Sequence, residues 1–484
     1  MYRLVFVLLI PFYLTSQVKA FPTAFGAAAS TTGGRGEQVY IVSTLADSGI
    51  SSFRDAVSAS NRIITFEVSG TINLTSNLTI TASNLTIAGQ SSPEGGIAIT
   101  GSKVFFDSAN NIIVRYIRFR PTYDDNGSVD AVNVNACDNI IFDHCSISWS
   151  ADEAISFVGD SDNITIQNSI IAESATGMLA GDSNNFISSN ISIHNNLWYN
   201  TSHRFPNVNA NRVDAINNIV HNWNTRIMVV SSHDNVQLNE INNYYQRGAR
   251  PTNVLDAAQH AGNWLDIGTG SDRPNIRIYT NGNVVNDALT ETGDSWELYR
   301  HRFAVTSGAY AGISQWDAAN RDFENTAPFS LLGTSFPFTS AIEAKAIVET
   351  NSGAYETLDG SGNVIQDWDV LDDRYLGHVI NNTFDAYVYQ APPASPTIDI
   401  ASKSWYTSYI SSISSTPINF RGMSYDTDRD GMPDAWETAT FGDLSRDGRG
   451  DLNGDGYTDV EEYLNLVDFD GGPSNSPIIE RRRF

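Results

Sequence analysis

The phrase Asn139-Ile-Ile-Phe-Asp143 is one copy of a pattern that recurs seven times between Asn84 and Tyr245. Each copy is an alternating run rich in β-branched residues, and a second short apolar run follows it, so a unit holds strands and turns but no helix. The copies start 27, 28, 24, 27, 22 and 23 residues apart, a spacing typical of a repeat architecture. They are Asn84-Leu-Thr-Ile-Ala88, Asn111-Ile-Ile-Val-Arg115, Asn139-Ile-Ile-Phe-Asp143, Asn163-Ile-Thr-Ile-Gln167, Asn190-Ile-Ser-Ile-His194, Arg212-Val-Asp-Ala-Ile216 and Asn235-Val-Gln-Leu-Asn239.

Units of this kind cannot bury their inward side chains alone and must stack on their neighbours. The pattern therefore predicts an all-β fold, a right-handed parallel β-helix. The asparagine that opens most units supports this, because stacked Asn side chains can hydrogen-bond along a ladder and tolerate left-handed turns. We interpret these asparagines as structural and not catalytic. A propeller would need a longer period, and leucine-rich repeats would show Leu at fixed positions.

The segments that flank the repeat predict the domain organisation. Residues 51–58 form an amphipathic pattern with Phe53 and Val57 on one face, which predicts a short helix capping the N-terminal end of the solenoid. After Tyr245 the pattern becomes irregular, and residues 341–349 are its one clear helical run. We expect a signal peptide over residues 1–20, a β-helix over 21–425, tandem calcium loops over 426–465 and a tail over 466–484.

The first twenty residues have the features of a targeting segment. Arg3 precedes an apolar core over residues 4–14, and Val18-Lys-Ala20 is a small-residue ending, which is the pattern of a cleaved secretory signal. No other stretch approaches the length of a membrane span. We therefore expect a secreted, extracellular monomer with no membrane partner. Eight Asn-X-Ser/Thr sequons permit glycosylation in a eukaryotic host: Asn73, Asn77, Asn84, Asn126, Asn163, Asn190, Asn200 and Asn381.

Charge and cysteine content exclude some classes of partner. Asp and Glu number 55 against 29 Lys and Arg, and the net charge of −26 argues against nucleic acid as a partner. An anionic substrate could approach only where bound metal or clustered arginines reverse the local field. Cys137 and Cys145 are the only two cysteines, and their non-equivalent repeat positions predict buried free thiols.

The tail contains two copies of a calcium-loop pattern, 25 residues apart. Each has oxygen-bearing side chains at loop positions 1, 3, 5, 9 and 12 and a glycine at position 6, the arrangement that gives calcium its oxygen ligands around a sharp turn. Because no cleft-forming sequence lies nearby, we expect these sites to be structural. The ligands are Asp426, Asp428, Asp430, Asp434 and Glu437 in the first loop, and Asp451, Asn453, Asp455, Asp459 and Glu462 in the second.

Candidate chemistry lies on consecutive repeats of the solenoid. Asp130 and the pair Asp152-Glu153 lie about one repeat apart, and His203-Arg204 follows the Asn190 unit. Since Asp130 and Asp152 are separated by 22 residues, they can stand side by side as oxygen ligands for a metal ion. The alternative is that both are ordinary turn residues of a scaffold.

Five segments together resemble the signature segments of secreted pectate lyases of polysaccharide lyase family 1. They are Phe119-Arg-Pro121, Asp130-Ala-Val-Asn-Val134, Ile141-Phe-Asp-His-Cys-Ser-Ile-Ser-Trp-Ser-Ala-Asp-Glu153, Ser192-Ile-His-Asn-Asn-Leu-Trp198 and Arg204-Phe-Pro206. The resemblance covers about residues 21–245, and the acidic calcium tail is similar to that of bacterial members. It implies that Asp130, Asp152 and Glu153 hold a catalytic Ca²⁺ and that Arg204 is the base.

The implied reaction is β-elimination in a 1,4-linked polyuronate, such as pectate or polygalacturonate. On chemical grounds alone His203 would be the preferred base, since its pKa lies near neutral pH, whereas the family pattern favours Arg204. A second arginine that the family places shortly after Arg-X-Pro is absent here, and so is a lysine expected within residues 175–179. The next arginine is Arg212, our candidate substrate-binding residue.

Three other functions are compatible with the sequence: a non-catalytic glycan-binding solenoid, a lyase for another anionic polysaccharide, and a glycoside hydrolase. A hydrolase needs two carboxylates about 5–9.5 Å apart that flank the scissile bond. Asp152 and Glu153 are adjacent and are expected to point to opposite faces of one strand, which argues against hydrolysis.

Overall fold

The structure is a computed structural model. It describes residues 17–122, 130–182, 188–223, 226–230, 235–247, 262–265, 275–286, 289–302, 304–308, 311–314, 317–333, 337–383, 408 and 418–468. Most of the predicted signal peptide, the sequon at Asn126 and the end of the predicted tail lie outside these residues. The predicted boundary between the β-helix and the tail stays a prediction.

Three parallel sheets run the length of the repeat and confirm the predicted β-solenoid. The chain visits sheet A, then sheet B, then sheet C, and returns to sheet A one rung further on. Sheet A contains Gln38–Val42, Arg62–Phe66, Leu85–Ala88, Asn110–Arg115, Asp138–Asp143, Asp162–Gln167, Ser189–His194, Arg212–Ile216, Val236–Ile241 and Ile276–Asn281. Sheet B contains Gly70–Leu74, Ile97–Gly101, Ile117–Phe119, Ser146–Ser148, Ile170–Ala172, Leu197–Tyr199, Ile219–His221, Tyr244–Gln246 and Val284–Val285. Sheet C contains Leu78–Ile80, Val104–Asp107, Val132–Asn135, Glu153–Val158, Thr176–Ala180, Asn207–Val208, Val229–Val230, Asn263–Leu265 and Tyr299–His301.

The core fills the inside of this coil with stacked rows of like residues. Ile140 pairs in register with Ile112 on the preceding rung and Ile164 on the next, and all three are fully buried. Phe142 packs edge-on against Phe106 at 5.7 Å between ring centroids. Alternation along each strand places these side chains inside, and stacking in parallel register repeats the contact from rung to rung.

The predicted ladder of opening asparagines is present in part, between Asn84 and Asn111. Asn84, Asn111 and Asn139 have φ values of 57°, 61° and 57°, in the left-handed region, and Asn111 Nδ2 donates to Asn84 Oδ1 at 2.8 Å. A second asparagine ladder lies inside the coil at the turn from sheet A to sheet B, and its side chains bond one another at 3.0–3.1 Å. Its members are Asn196, Asn218, Asn243 and Asn283. Their amide groups also satisfy buried backbone carbonyls, as when Asn196 Nδ2 donates to Ile166 O.

The helices cover the solenoid. The predicted N-terminal helix is Phe53–Ala56, where Ser52 caps the start and buried Phe53 packs on Phe66 at 6.0 Å. Among the described residues the other α-helices are Ala341–Asn351, which confirms the predicted helical run, Val370–Asn381, Asp434–Thr440 and Asp459–Leu464. Short 3₁₀ helices are Gly89–Ser91, Ser295–Leu298, Arg321–Phe323 and Asn465–Asp468, and Glu356–Leu358 pairs antiparallel with Val364–Gln366. Cys137 and Cys145 are buried and free, as predicted. No helix among the described residues is long and apolar enough to cross a membrane.

Buried ion pairs fasten the covering segments to the coil. Arg120 donates to Asp372 of helix Val370–Asn381 at 2.7 Å. Arg115, stacked on the Phe21 ring, binds Asp143 at 2.8 Å and Asp468 at 2.6 Å, so it joins the coil to the end of the described tail. Sheets A and B are thereby partly covered, whereas the residues of interest for chemistry lie on sheet C.

Candidate catalytic and metal site

The carboxylates of Asp130, Asp152 and Glu153 converge at the N-terminal edge of sheet C. One oxygen from each lies within 4.8 Å of the others. Asp130 precedes strand Val132–Asn135 and Glu153 opens the adjacent strand, and the parallel register places the two strand starts side by side. The one-repeat spacing thus brings Asp130 and Asp152 together in space.

Repulsion and burial make this cluster suited to a cation. Burial is the main cause that raises the pKa of Asp130 to about 6, and the nearby Asp152 charge adds to it, although Asn133 Nδ2 donates to the Asp130 carboxylate at 2.8 Å. Burial also raises the pKa of Asp152, against the opposing effect of Arg204. Clustered, largely desolvated carboxylate oxygens are ligands that Ca²⁺ prefers, so the residues present fit a calcium ion.

The expectation that Asp152 and Glu153 point to opposite faces is wrong. Strand Glu153–Val158 begins at Glu153, and Asp152 lies in the preceding bend, where side chains do not alternate. Both carboxylates therefore enter the same cluster.

Arg204 reaches the cluster from two rungs further along sheet C. Its guanidinium forms an ion pair with Glu153, which is 3% exposed, while the Arg204 side chain is 28% exposed. Its backbone has φ of 69°, precedes the cis bond between Phe205 and Pro206, and accepts a hydrogen bond from Met178 N at 2.9 Å. A Cβ on Gly177 would lie 2.2 Å from the Arg204 carbonyl oxygen, so glycine is what permits this close approach.

Opposing effects act on the pKa of the Arg204 guanidinium. Burial lowers the pKa of its guanidinium and the positive charge of Arg302 lowers it further, whereas Asp152 and Asp130 act in the opposite direction. His203, the other candidate base, is buried, and its Nδ1 lies 2.6 Å from Ser202 Oγ. Burial, together with the charges of Arg226 and Arg302, holds the pKa of His203 well below its usual value. Arg204 thus contacts the acidic cluster, whereas His203 is buried against Ser202.

Arg212 is not brought to this site. It opens strand Arg212–Ile216 of sheet A, because the chain has already left sheet C by this point of the rung. Its guanidinium is bonded to Asp214 at 2.8 Å and to Ser330 O at 2.6 Å. The role that the sequence suggested, binding substrate next to Arg204, does not fit this position.

Three residues near Arg204 were not found from the sequence. Arg226 lies over the Trp264 ring with its guanidinium carbon 4.1 Å from the centroid, and the Arg302 guanidinium carbon lies 5.7 Å from the same centroid. Arg226 follows Arg204 by 22 residues, about one repeat, so the spacing could have indicated that the two lie on adjacent rungs. Trp264 and Arg302 fall where long insertions obscure the period.

The first tail loop has the geometry of an ion site. Its carboxylates form two overlapping groups, each with oxygens within 4.8 Å of one another: Asp426, Asp428 and Asp434, and Asp428, Asp430 and Glu437. Asp426 accepts hydrogen bonds from the backbone N of Asp430 and Gly431, which bends the loop around its carboxylates. Both Glu437 carboxylate oxygens are buried, and neither has a hydrogen-bond partner among the described residues. Burial raises the pKa of Glu437 to about 8 and that of Asp430 to about 7.

The second tail loop has the same backbone turn but different side-chain pairing. Asp451 accepts from Gly454 N at 2.6 Å and Gly456 N at 3.0 Å. Arg446 bonds Asp459, and Asn453 Nδ2 donates to Glu462 at 2.6 Å and to Asp455 at 3.0 Å. Within the described residues its carboxylates do not gather as those of the first loop do.

Comparisons with known proteins agree with this architecture. Residues 7–292 match the family model described as pectate lyase. A probable pectate lyase C of Aspergillus flavus is 38% identical over 243 residues, 49% of this chain and 56% of that protein. One of Aspergillus fumigatus is 40% identical over 209 residues, 42% of this chain and 48% of that protein, so the chain spans about half the length of these relatives. The crystal structure of the major allergen from cedar pollen shares the fold, with a TM-score of 0.51 and 16% identity over 68% of this chain and 92% of that one.

Proposed function

Since the chain belongs to the pectate lyase family, we propose that it is a secreted, calcium-dependent lyase that cleaves 1,4-linked polyuronate of the pectate type by β-elimination. The observation that carries the proposal is the convergence of Asp130, Asp152 and Glu153 beside the guanidinium of Arg204 on sheet C. Secretion is supported by the signal-like pattern of residues 1–20.

Asp130, Asp152 and Glu153 would hold the metal ion. When bound, calcium supplies positive charge that neutralises the C6 carboxylate of the sugar and makes the C5 proton more acidic. The three carboxylates also orient the site, because they are fixed at the starts of two adjacent strands. Burial raises the pKa of Asp130 and Asp152 because it disfavours their charged forms. A bound cation would offset this cost.

Arg204, in its neutral guanidine form, would take the C5 proton on a side-chain nitrogen and become a guanidinium cation. As the C5–H bond breaks, its electrons form the C4–C5 double bond, the C4–O4 bond breaks, and O4 leaves with the other half of the polymer and gains a proton from solvent. Arginine needs a lowered pKa for this task, and burial together with Arg302 acts in that direction. His203 is less suited, because it packs inward on Ser202 and not toward the carboxylates.

We further propose that the first tail loop binds a structural Ca²⁺. The support is the buried Glu437 carboxylate, because a desolvated carboxylate is costly unless a proton or a cation neutralises it. The second loop is a weaker candidate in this conformation, since Asp459 is already paired with Arg446.

The test is incubation of the purified chain with polygalacturonate, with excess calcium and with a chelator. A lyase generates unsaturated uronyl ends that absorb in the ultraviolet, and the chelator should abolish the signal. New reducing ends without this absorbance would identify a hydrolase. Binding without any new chain ends would identify a glycan-binding solenoid and overturn the proposal.

A further inference from the structure

The turn that delivers Asp152 to the acidic cluster begins at an unusual corner of the coil. On four successive rungs, the residue that directly follows a strand of sheet B has a left-handed backbone, with φ values of 73°, 48°, 53° and 60°. These corner residues are Trp149, Glu173, Asn200 and Asn222. Asparagine tolerates this conformation, whereas Trp and Glu adopt it only at a cost in free energy. Strain of this kind persists where the surrounding structure enforces it, and it clusters at functional sites.

The two strained corners are bonded to each other through their side chains. Trp149 Nε1 donates to Glu173 Oε2 at 3.2 Å, and the two residues are 0% and 1% exposed. Helix Val370–Asn381 supplies two more donors to the same carboxylate oxygen, Arg374 Nη2 at 2.7 Å and the Tyr375 hydroxyl at 2.9 Å. Trp149 also belongs to the apolar cluster that this helix shares with sheet B. The helix therefore holds both corner side chains.

From these corners the chain runs directly into the acidic cluster. Asp152 follows Trp149 by three residues, and the turn between them is bonded to the equivalent turn on the next rung. Ala175 N donates to Ser150 O at 3.0 Å. Thr176 N donates to Asp152 O at 2.9 Å. Because the two turns are linked backbone to backbone, a displacement of either corner is passed along the turn to Asp152.

We propose that Trp149, Glu173 and Arg374 are positioning residues, which hold the turn that carries Asp152 and thereby set the affinity of the acidic cluster for calcium. The inference rests on the calcium site of the proposed function. Partners that orient a metal ligand without touching the metal change its affinity by about 10- to 100-fold when they are lost. Here one partner comes from a helix that packs on sheet B, so docking of helix Val370–Asn381 is linked to calcium binding on sheet C.

The experiment compares Trp149→Phe and Arg374→Gln with Gln246→Met. The control removes a hydrogen bond of 3.1 Å from Gln246 Nε2 to Val379 O, which joins the same helix to a rung of sheet B further along the coil. Titration calorimetry measures calcium binding, and the event of the acidic cluster is the one that is missing from Asp152→Asn.

We expect the dissociation constant of that event to rise about tenfold in Trp149→Phe and about threefold or more in Arg374→Gln, and to stay within about twofold in the control. The rate of unsaturated product formation, measured against calcium concentration, gives a second readout. Half-saturating calcium should rise by the same factors, while kcat at saturating calcium stays within about threefold of wild type. Melting temperatures confirm folding; if Trp149→Phe does not fold, Arg374→Gln decides, since its side chain is 18% exposed.

The outcomes separate the two claims. Calcium affinities of Trp149→Phe and Arg374→Gln equal to that of Gln246→Met would overturn the positioning role and leave an active lyase in place. A wild-type chain that binds calcium at the cluster but forms no unsaturated product would overturn the proposed function, and the three affinities would still decide the positioning role. If Asp152→Asn removes no calcium-binding event, both are overturned.

Discussion

Replacing Arg204 with lysine separates a catalytic guanidinium from a structural one. Arg204 is ion-paired with Glu153, a carboxylate that is 3% exposed, so truncation to alanine would leave a buried charge without its partner and cost about 3–5 kcal/mol of folding free energy. Lysine keeps a cation on a stem of similar length, and we expect it to preserve most of that free energy. The substitution therefore tests chemistry with little change in stability.

The expected loss is in turnover. A positioned proton acceptor contributes about 10²–10⁴-fold, equivalent to about 2.7–5.5 kcal/mol of activation free energy. An ammonium on a flexible chain lacks the fixed fork of the guanidinium and its placement against Glu153. We expect kcat to fall by that factor while KM stays within about threefold of wild type.

The assay is ultraviolet detection of unsaturated product at saturating polygalacturonate and calcium, with melting temperatures measured in parallel. His203→Ala serves as the comparison, and a smaller loss is expected because His203 is buried and its Nδ1 is bonded to Ser202. If Arg204→Lys turns over at the wild-type rate, the assignment is refuted and His203 becomes the candidate base.

Three other predictions follow from the structure. Asp430→Ala should lower the melting temperature in calcium but leave the rate per folded molecule nearly unchanged, since Asp430 belongs to the tail cluster; complete loss of activity in a folded variant would contradict this. Gly177→Ala should reduce kcat in a folded chain, because the added Cβ would lie 2.2 Å from the Arg204 carbonyl oxygen; unchanged kinetics would mean that the backbone position is not critical. Asp143→Asn should lower the free energy of unfolding by about 1.5–3 kcal/mol at pH 7, measured with denaturant, because it removes one of the two carboxylates paired with buried Arg115 while Asp468 remains. The effect should shrink toward pH 3. Burial raises the pKa of Asp143, but the charges of His144 and Arg115 outweigh burial and hold the pKa below its unfolded value of about 3.9. The carboxylate therefore stabilises the fold fully above about pH 3.9, and this contribution is lost progressively as the pH falls toward the folded-state pKa. A pH-independent difference would argue against the linkage.

The repeated part of the fold was predictable because its units are nearly equal in length. Asn84, Asn111 and Asn139 start units 27 and 28 residues apart, and stacking then places Asp130 beside Asp152 without further information. From Val229 to Trp264 the rung takes 35 residues, because long insertions separate its strands, and periodicity no longer indicates which residues stack. Trp264 and Arg302 could therefore not be placed near Arg204 from the sequence.

Two local details were also beyond sequence reasoning. The orientation of Asp152 depends on strand Glu153–Val158 beginning at the next residue, and a sequence pattern does not locate the start of a strand to within one residue. Each member of the inner ladder, Asn196, Asn218 and Asn243, directly follows another asparagine, so the sequence does indicate it. The asparagines that open the units had already accounted for one asparagine ladder, and a second was not inferred. Whether the second asparagine of each pair is buried depends on the geometry of the turn, which the spacing of the repeat units does not define.

The salt dependence of kcat/KM shows whether the net charge or the local cations govern how this acidic chain binds an acidic polymer. Repulsion from the net charge of −26 would be screened by added salt, so kcat/KM would rise with ionic strength. The local arrangement predicts the opposite. Arg204, Arg226 and Arg302 lie along sheet C, where a bound polymer would contact them at distances shorter than the Debye length of about 10 Å at 0.1 M salt.

We therefore expect kcat/KM to fall as sodium chloride is raised at saturating calcium, and the fall to be shallower in Arg226→Gln, because one of the attracting charges is gone. Arg277→Gln should keep the wild-type slope, since that charge lies on sheet A. Initial rates at low substrate concentration measure the slope directly. A rise in kcat/KM with salt would show that net charge governs association and that the cations of sheet C do not reverse the field.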